Sequence, residues 1–382
     1  MNPHSEKLAA ADVLRVAAIG LIAWYHFWQQ SWLDPGFRAG HCYVNLQQMV
    51  RHGYMMVDLM LVLSGFLLAL PHARARRDTL PAPGIKSFYA RRFWRIVPSY
   101  LLGVISVLFF YALPQGLYTA PDAAFRDLAA HLTFTHNLFP DLLFSTPILG
   151  VLWTVGVEVQ FYLIFPLVAS LYRERPGLTC LVLTLMAAVV RMWVYYNGNT
   201  AYWVNQMPCM LDLFACGMAG AAVYVRYEDR PITEKGRWLL AFVALLCFVC
   251  ILQILYIQTT GDYAIMRREQ LLWRLPLGLL GGGFLVCGCL GPEGLNRLLG
   301  NPLTRFLAAI SYNFYIWHQF LSTRLKDGRI PSYISENPNQ TMEQPWQGRY
   351  MLCCFAVAVA VATAITYLFD RPLYKKGTKN LR

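Results

Sequence analysis

An arginine and a histidine eleven positions apart inside one apolar stretch, Arg15 and His26, are the first residues of this chain that could do chemistry. At 100° per residue that spacing comes to about 1100°, about 20° past three full turns, so both side chains share one helical stripe about 16 Å apart in depth. Asp12, three residues before Arg15, can pair with it and set the guanidinium's direction. Ionisable groups inside a membrane helix are costly enough to be functional candidates. A neutral imidazole at His26 could act as general base on a hydroxyl or carry an acyl group itself. The alternative is a snorkelling arginine and an interfacial histidine beside Trp24, Tyr25 and Trp28.

Three more groups stand out. In KSFYARRFWRIVPSY, Arg92 and Arg95 lie one turn apart, with Arg91 and Lys86 adding charge. Forked guanidinium donors suit phosphate oxygens, and the several phosphates of a coenzyme A moiety would be a fitting guest; a simple cationic anchor is the competing reading. Glu158 sits in WTVGVEVQFYLIFP with Thr154 and Tyr162 one turn to either side. It could orient His26, meet an arginine such as Arg191, hydrogen-bond a sugar hydroxyl, or only fix helix packing. In SYNFYIWHQF, offsets of four and seven put Ser311, Tyr315 and His318 on one stripe, as an acceptor-side wall or as part of an aromatic belt.

Other polar residues in apolar segments read as structural. Asp58 precedes Ser64 and Gly65, a pair suited to close helix approach, and Arg191 and Asp212 read as one structural pair. Cys247-x-x-Cys250 falls mid-span with no second pair nearby, so the cysteines read as buried thiols and no metal is expected. There is no phosphate-binding loop, no nucleophile-elbow serine and no HExxH site in the sequence.

The elements that must position these groups are transmembrane helices. The chain has 382 residues, 57% hydrophobic and only 14% charged. Runs such as 238–258 and 349–369 have the length needed to cross about 30 Å of hydrocarbon. Candidate spans fall near 9–29, 53–70, 97–113, 150–171, 177–196, 208–225, 238–258, 271–290, 306–323 and 349–369. Lys and Arg favour the alternate loops that include 71–96 and the C-terminal tail by about two to one, which predicts both termini in the cytosol. The net charge of +12 therefore reflects topology, and no nucleic-acid partner is expected. The first apolar segment follows little more than Lys7 and lacks a cleavage site, so it reads as a retained span. With no repeat and no room for a soluble domain, residues 1–382 read as one all-α, polytopic membrane domain, with no soluble C-terminal domain.

The combination resembles the acyltransferase 3 family of integral membrane acyltransferases. The resemblance rests on Asp12-x-x-Arg15 with the Arg15 to His26 spacing, DLMLVLSGF at 58–66, ARRFWRIVPSY with Arg92-x-x-Arg95, WTVGVEVQFYLIFP around Glu158, SYNFYIWH at 311–318 and DRPLYKK at 370–376. It implies a ten-helix domain in a bacterial cytoplasmic (inner) membrane. Its activity would move an acyl group, usually acetyl, from acyl-CoA to a hydroxyl of a carbohydrate or glycosylated acceptor. It also implies functional roles for Arg15, His26, Arg92 and Arg95. Two departures matter: the Glu158 motif lacks its usual leading serine and has Val159 where a second carboxylate is common, and Asp370 replaces a common glutamate.

On this reading Arg92, Arg95, Arg91 and Lys86 hold the donor's phosphates, Arg15, His26 and Glu158 do the chemistry, and His318, Tyr315, Tyr162 and Ser311 line the acceptor side. A membrane transporter or flippase, using the His, Glu and Arg set as a substrate or proton path, is the rival from another class, and a catalytically silent scaffold a third.

Overall fold

The computed structural model describes residues 8–259 and 261–379; Lys7 lies outside the described residues. Helices dominate because a chain in hydrocarbon must satisfy its backbone hydrogen bonds within each segment. The long ones are α1 (Ala9–Ser31), α2 (Met56–Arg77), α3 (Ile85–Val107), α4 (Pro121–Leu132), α5 (Trp153–Glu174) and α6 (Pro176–Asn197), followed by α7 (Leu211–Tyr227), α8 (Glu234–Ile257), α9 (Tyr263–Cys289), α10 (Pro302–Asp327) and α11 (Trp346–Ile365). The strands among the described residues form one short antiparallel hairpin, Phe37–Ala39 with Cys42–Val44.

Nine helices among the described residues are long and apolar enough to cross a membrane, so the chain is an all-α, multi-pass membrane protein. The remaining expected span, 306–323, falls within α10, which is long enough but too polar to count with the nine. Its polarity comes from Ser311, Asn313, His318, Gln319, Ser322 and Thr323. This helix of spanning length, too polar for the nine, is one of those that carry candidate chemistry.

Two compact units divide the chain. The first comprises Met1–Ile22, Gln48–Pro83 and Gln160–Ala308; the second comprises Ala23–Gln47, Gly84–Val159 and Ala309–Arg382. Helices α1 and α5 each contribute residues to both.

In the first unit, α2 and α7 cross at glycines. A Cβ at Gly65 would collide with the Phe214 backbone, and one at Gly217 with the Val62 carbonyl, so the small residues allow the two backbones to touch. Its buried charges are paired. Arg191 reaches Asp212 at 2.6 Å and the fully buried Arg274 reaches Asp58 at 3.2 Å. The sequence pointed to the Arg191–Asp212 pair; it did not single out Arg274.

In the second unit, α11 continues through a π-helical segment, Thr366–Asp370, into the short helix Arg371–Gly377. The wider turn sets Thr366 against α10, where the Asn313 amide donates to its hydroxyl at 2.9 Å. A second π segment, Leu108–Ala112, extends α3. Tyr312 of α10 donates to the Ile96 carbonyl of α3 at 2.9 Å.

Candidate active site

His26 lies in the penultimate turn of α1, half-buried, within the second unit. Its ring is held at one nitrogen. Nδ1 is 3.1 Å from the Gln29 side-chain oxygen and 3.1 Å from the Gln319 amide nitrogen of α10. Gln29 is oriented by its own amide, which donates to the Tyr25 hydroxyl at 2.8 Å. Gln29 accepts from a protonated Nδ1, whereas Gln319 donates to a bare one, so the two amides serve opposite tautomers. Either way they act at Nδ1, and Nε2 is the nitrogen left for a reacting group.

The helical spacing of α10 brings the second histidine to the first. The His26 and His318 ring centroids are 5.1 Å apart. His318 is buried, stacked on Phe314 and edge-on to Phe27; its Nδ1 meets the Tyr315 carbonyl at 2.7 Å, while its Nε2 has no hydrogen-bond partner. A buried imidazole nitrogen without a partner is costly and calls for an explanation.

Tyr315 closes the arrangement. Its hydroxyl donates to the Val151 carbonyl at 3.1 Å and accepts from Thr154 at 2.9 Å, tying α10 to the start of α5. The half-buried Glu158, one turn beyond Thr154, acts electrostatically on Tyr315. Ser311 is buried on the same helix.

The other candidates sit elsewhere. Arg15 pairs with Asp12 at 3.7 Å in the first unit, and Tyr162 stands 3.4 Å from the Ser64 hydroxyl in that unit too. Arg191, one of the arginines considered for Glu158, is engaged by Asp212. Lys86, Arg91, Arg92 and Arg95 all lie on α3 in the second unit. The Arg92 guanidinium lies over the Phe88 ring at 5.8 Å, and Arg95, exposed, interacts with Asp370 of the DRPLY motif. Among the described residues, no group of three or more His, Cys, Asp or Glu side chains is placed to hold a metal ion.

Gln29 and Gln319 carry no charge and were not singled out in the sequence, although their offsets of three from His26 and one from His318 could have flagged them. Also unforeseen is a buried cluster where α4 meets the turn His136–Leu138. Asp127 meets His131 Nδ1 at 3.0 Å and accepts from the Tyr118 and Thr146 hydroxyls at 2.7 and 2.8 Å. Burial alone would raise the Asp127 carboxyl, but these hydrogen bonds and His131 outweigh it and hold the group below its usual range. His136 stacks flat on His131 at 4.1 Å, and burial, helped by that neighbour, pushes its imidazole down to about 3. The adjoining Asn137 packs against Gly156, where a Cβ would come within 2.9 Å of its side-chain oxygen, so the cluster seats the start of the Glu158 helix.

Residues 8–370 match the sequence profile described as an acyltransferase domain. Similar proteins include YrhL of Bacillus subtilis, 27% identical over 99% of this chain and 56% of that protein. The peptidoglycan O-acetyltransferase OatA of Listeria monocytogenes is 25% identical over 99% of this chain and 57% of its own length. The chain thus spans little more than half the length of these relatives. No solved structure matches it.

Proposed function

The chain belongs to the acyltransferase 3 family, and we propose that it transfers an acyl group, acetyl in the first instance, from acyl-CoA to a hydroxyl of a carbohydrate or glycosylated acceptor across or within the membrane. The observation that carries this reading is the His26 ring: half-buried, clamped at Nδ1 by two amides, with Nε2 free of those contacts and a second imidazole 5.1 Å away. A named peptidoglycan O-acetyltransferase among the relatives supports an envelope glycan as acceptor.

In this scheme His26 Nε2 takes the proton of the acceptor hydroxyl as its oxygen attacks the thioester carbonyl. The C–S bond breaks, and the imidazolium returns the proton to the departing CoA sulfur, so ester and free CoA are the products. Gln29 holds the starting tautomer by accepting from Nδ1–H. His318, Tyr315 and Ser311 on α10 form the acceptor wall. Glu158 acts on that wall through Tyr315. Arg92 and Arg95, with Arg91 and Lys86, hold the CoA phosphates through forked, charge-assisted hydrogen bonds. The protein sits in the cytoplasmic membrane with both termini in the cytosol, so the donor arrives from the cytosolic side.

The test is a stoichiometry. Purified protein in proteoliposomes receives acetyl-CoA labelled in the acetyl group together with envelope glycan, and free CoA and acetylated glycan are quantified by mass spectrometry. Equal amounts of both are expected. Movement of substrate across the bilayer with no CoA release would replace this reading with a transporter.

A further inference from the structure

The first unit holds a basic cavity that the proposed chemistry does not use. It has a volume of about 690 Å³ and is lined by Arg76 and Arg77 at the end of α2, Arg226 at the end of α7, and Arg230 just beyond. This falls in the usual size range of small-ligand sites, about 300–1,000 Å³. Arg77 is already neutralised, with Asp78, Glu228 and Asp229 all within 2.9 Å. Since Asp78 and Asp229 are the carboxylates of the lining, Arg76, Arg226 and Arg230 leave a positive surplus around the cavity. Arg226 and Arg230 are steadied by the Tyr227 ring, at 5.9 and 5.3 Å. The pull of helix C-termini on cations explains arginines in last turns. It does not explain their convergence, from two helices and the turn beyond, on one open space.

The walls decide which anion fits. Val223, one turn before Arg226, lines the same cavity and is 45% exposed. Leu171 beside Tyr172, and Leu178 near Pro176, are likewise exposed apolar side chains next to lining residues. Apolar surface meant for hydrocarbon therefore passes within about one helical turn, roughly 5 Å, into a cluster of guanidinium groups. That gradient matches an amphiphile whose phosphate lies at the membrane boundary, whereas a soluble phosphate would have no use for the apolar side.

We propose that this cavity binds the phosphate of an anionic phospholipid. The arginines donate to the phosphate oxygens while the acyl chains run along the exposed side chains of α5, α6 and α7. The proposal stands apart from the acyl-transfer reading, since none of its residues belongs to the histidine site or the α3 cluster.

Native mass spectrometry of the full chain in detergent tests it, with phosphatidylglycerol, phosphatidylcholine, inorganic phosphate and CoA offered separately. Wild-type protein should retain phosphatidylglycerol in preference to phosphatidylcholine. The variant Arg76→Gln, Arg226→Gln, Arg230→Gln should lose about a hundredfold of that retention, the factor that about 1 kcal/mol for each of three cations near an anionic lipid surface gives. Phosphatidylcholine binding should not change. Undiminished phosphatidylglycerol retention in the variant overturns the proposal. So does displacement of the lipid by millimolar inorganic phosphate, which would mark a soluble-phosphate site, or selective loss of CoA, which would mark a nucleotide site. If the triple variant fails to fold, Arg226→Gln and Arg230→Gln are measured singly. Each should lose about fivefold, and no loss in either refutes the site.

Discussion

The two units bury polarity with different residues. In the first, ionised groups are set against each other, Arg274 on Asp58 and Arg191 on Asp212. In the second, one buried ion pair, Asp127 with His131, stands beside buried imidazoles, and the His318 ring is held at Nδ1 while its Nε2 has no hydrogen-bond partner. A buried ion pair spends its charge on its partner and contributes mainly to holding helices in place. A neutral imidazole with one nitrogen anchored keeps the other available for proton transfer. In the proposed scheme proton transfer falls to the second unit, while the paired charges of the first hold its helices together.

The sharpest test of this contrast is His26→Ala, which should lower acyl transfer about a thousandfold, within the range for loss of a general base, while expression and membrane insertion stay normal. Transfer within tenfold of wild type would remove His26 from the chemistry. In the framework unit the effect should fall on stability. Arg274→Met leaves Asp58 buried beside an uncharged side chain and should cost about 3–5 kcal/mol, read as a lower melting temperature in detergent, and adding Asp58→Asn should recover much of it. If the double variant is no more stable than the single, the pair is not the framework element described.

Smaller effects probe the clamp and the donor cluster. Gln319→Leu loosens the His26 ring from one side and should lower kcat about fivefold with little change in KM for acyl-CoA, since an amide hydrogen bond contributes about 1 kcal/mol. Gln319→Glu, which removes the amide donor, should recover none of the rate. Arg92→Ala should raise KM for acyl-CoA about fivefold and leave kcat nearly unchanged, as expected for lost binding common to ground and transition states. An unchanged KM would return the α3 cluster to a topological anchor.

The smallest effect concerns pH. Burial keeps His136 neutral in the folded protein down to about pH 3, whereas the unfolded imidazole takes up a proton near 6.5. The unfolded chain therefore binds more protons between those values, so stability is greatest above about pH 6.5 and falls as pH drops toward 3. Asp127, held below its usual range, adds to the loss in the acid part of that window as it is protonated. The unfolding free energy should fall from pH 7 to 5 with a slope of up to about 1 kcal/mol per pH unit, read as a falling melting temperature, and His136→Gln should flatten the curve. An unchanged slope would show that another group sets it.

By itself the sequence determined what local periodicity and solvent physics control. Runs of about 20 apolar residues must become helices in hydrocarbon, and offsets along one helix fix which side chains share a face. So the all-α membrane fold, the Asp12–Arg15 pairing and the common helix of Ser311, Tyr315 and His318 were legible. The Arg191–Asp212 pair was legible too, because two opposite charges in neighbouring spans have few other outlets. The family motifs pointed to acyl transfer, which spacing alone could not.

What the tertiary structure decided are pairings between residues far apart in the chain. Asp58 meets Arg274 across 216 positions, and His26 meets Gln319 across 293. No periodicity encodes such distances, and a glutamine gives no signal of charge or cost that would mark it in a list of residues. The polar character of α10 reads in the sequence as a weak span; only its packing against the end of α1 turns that weakness into a lined site. The stacked pair of His131 and His136 was hidden for a similar reason, since a turn rather than a helix joins them and the turn's course is set by what it packs against.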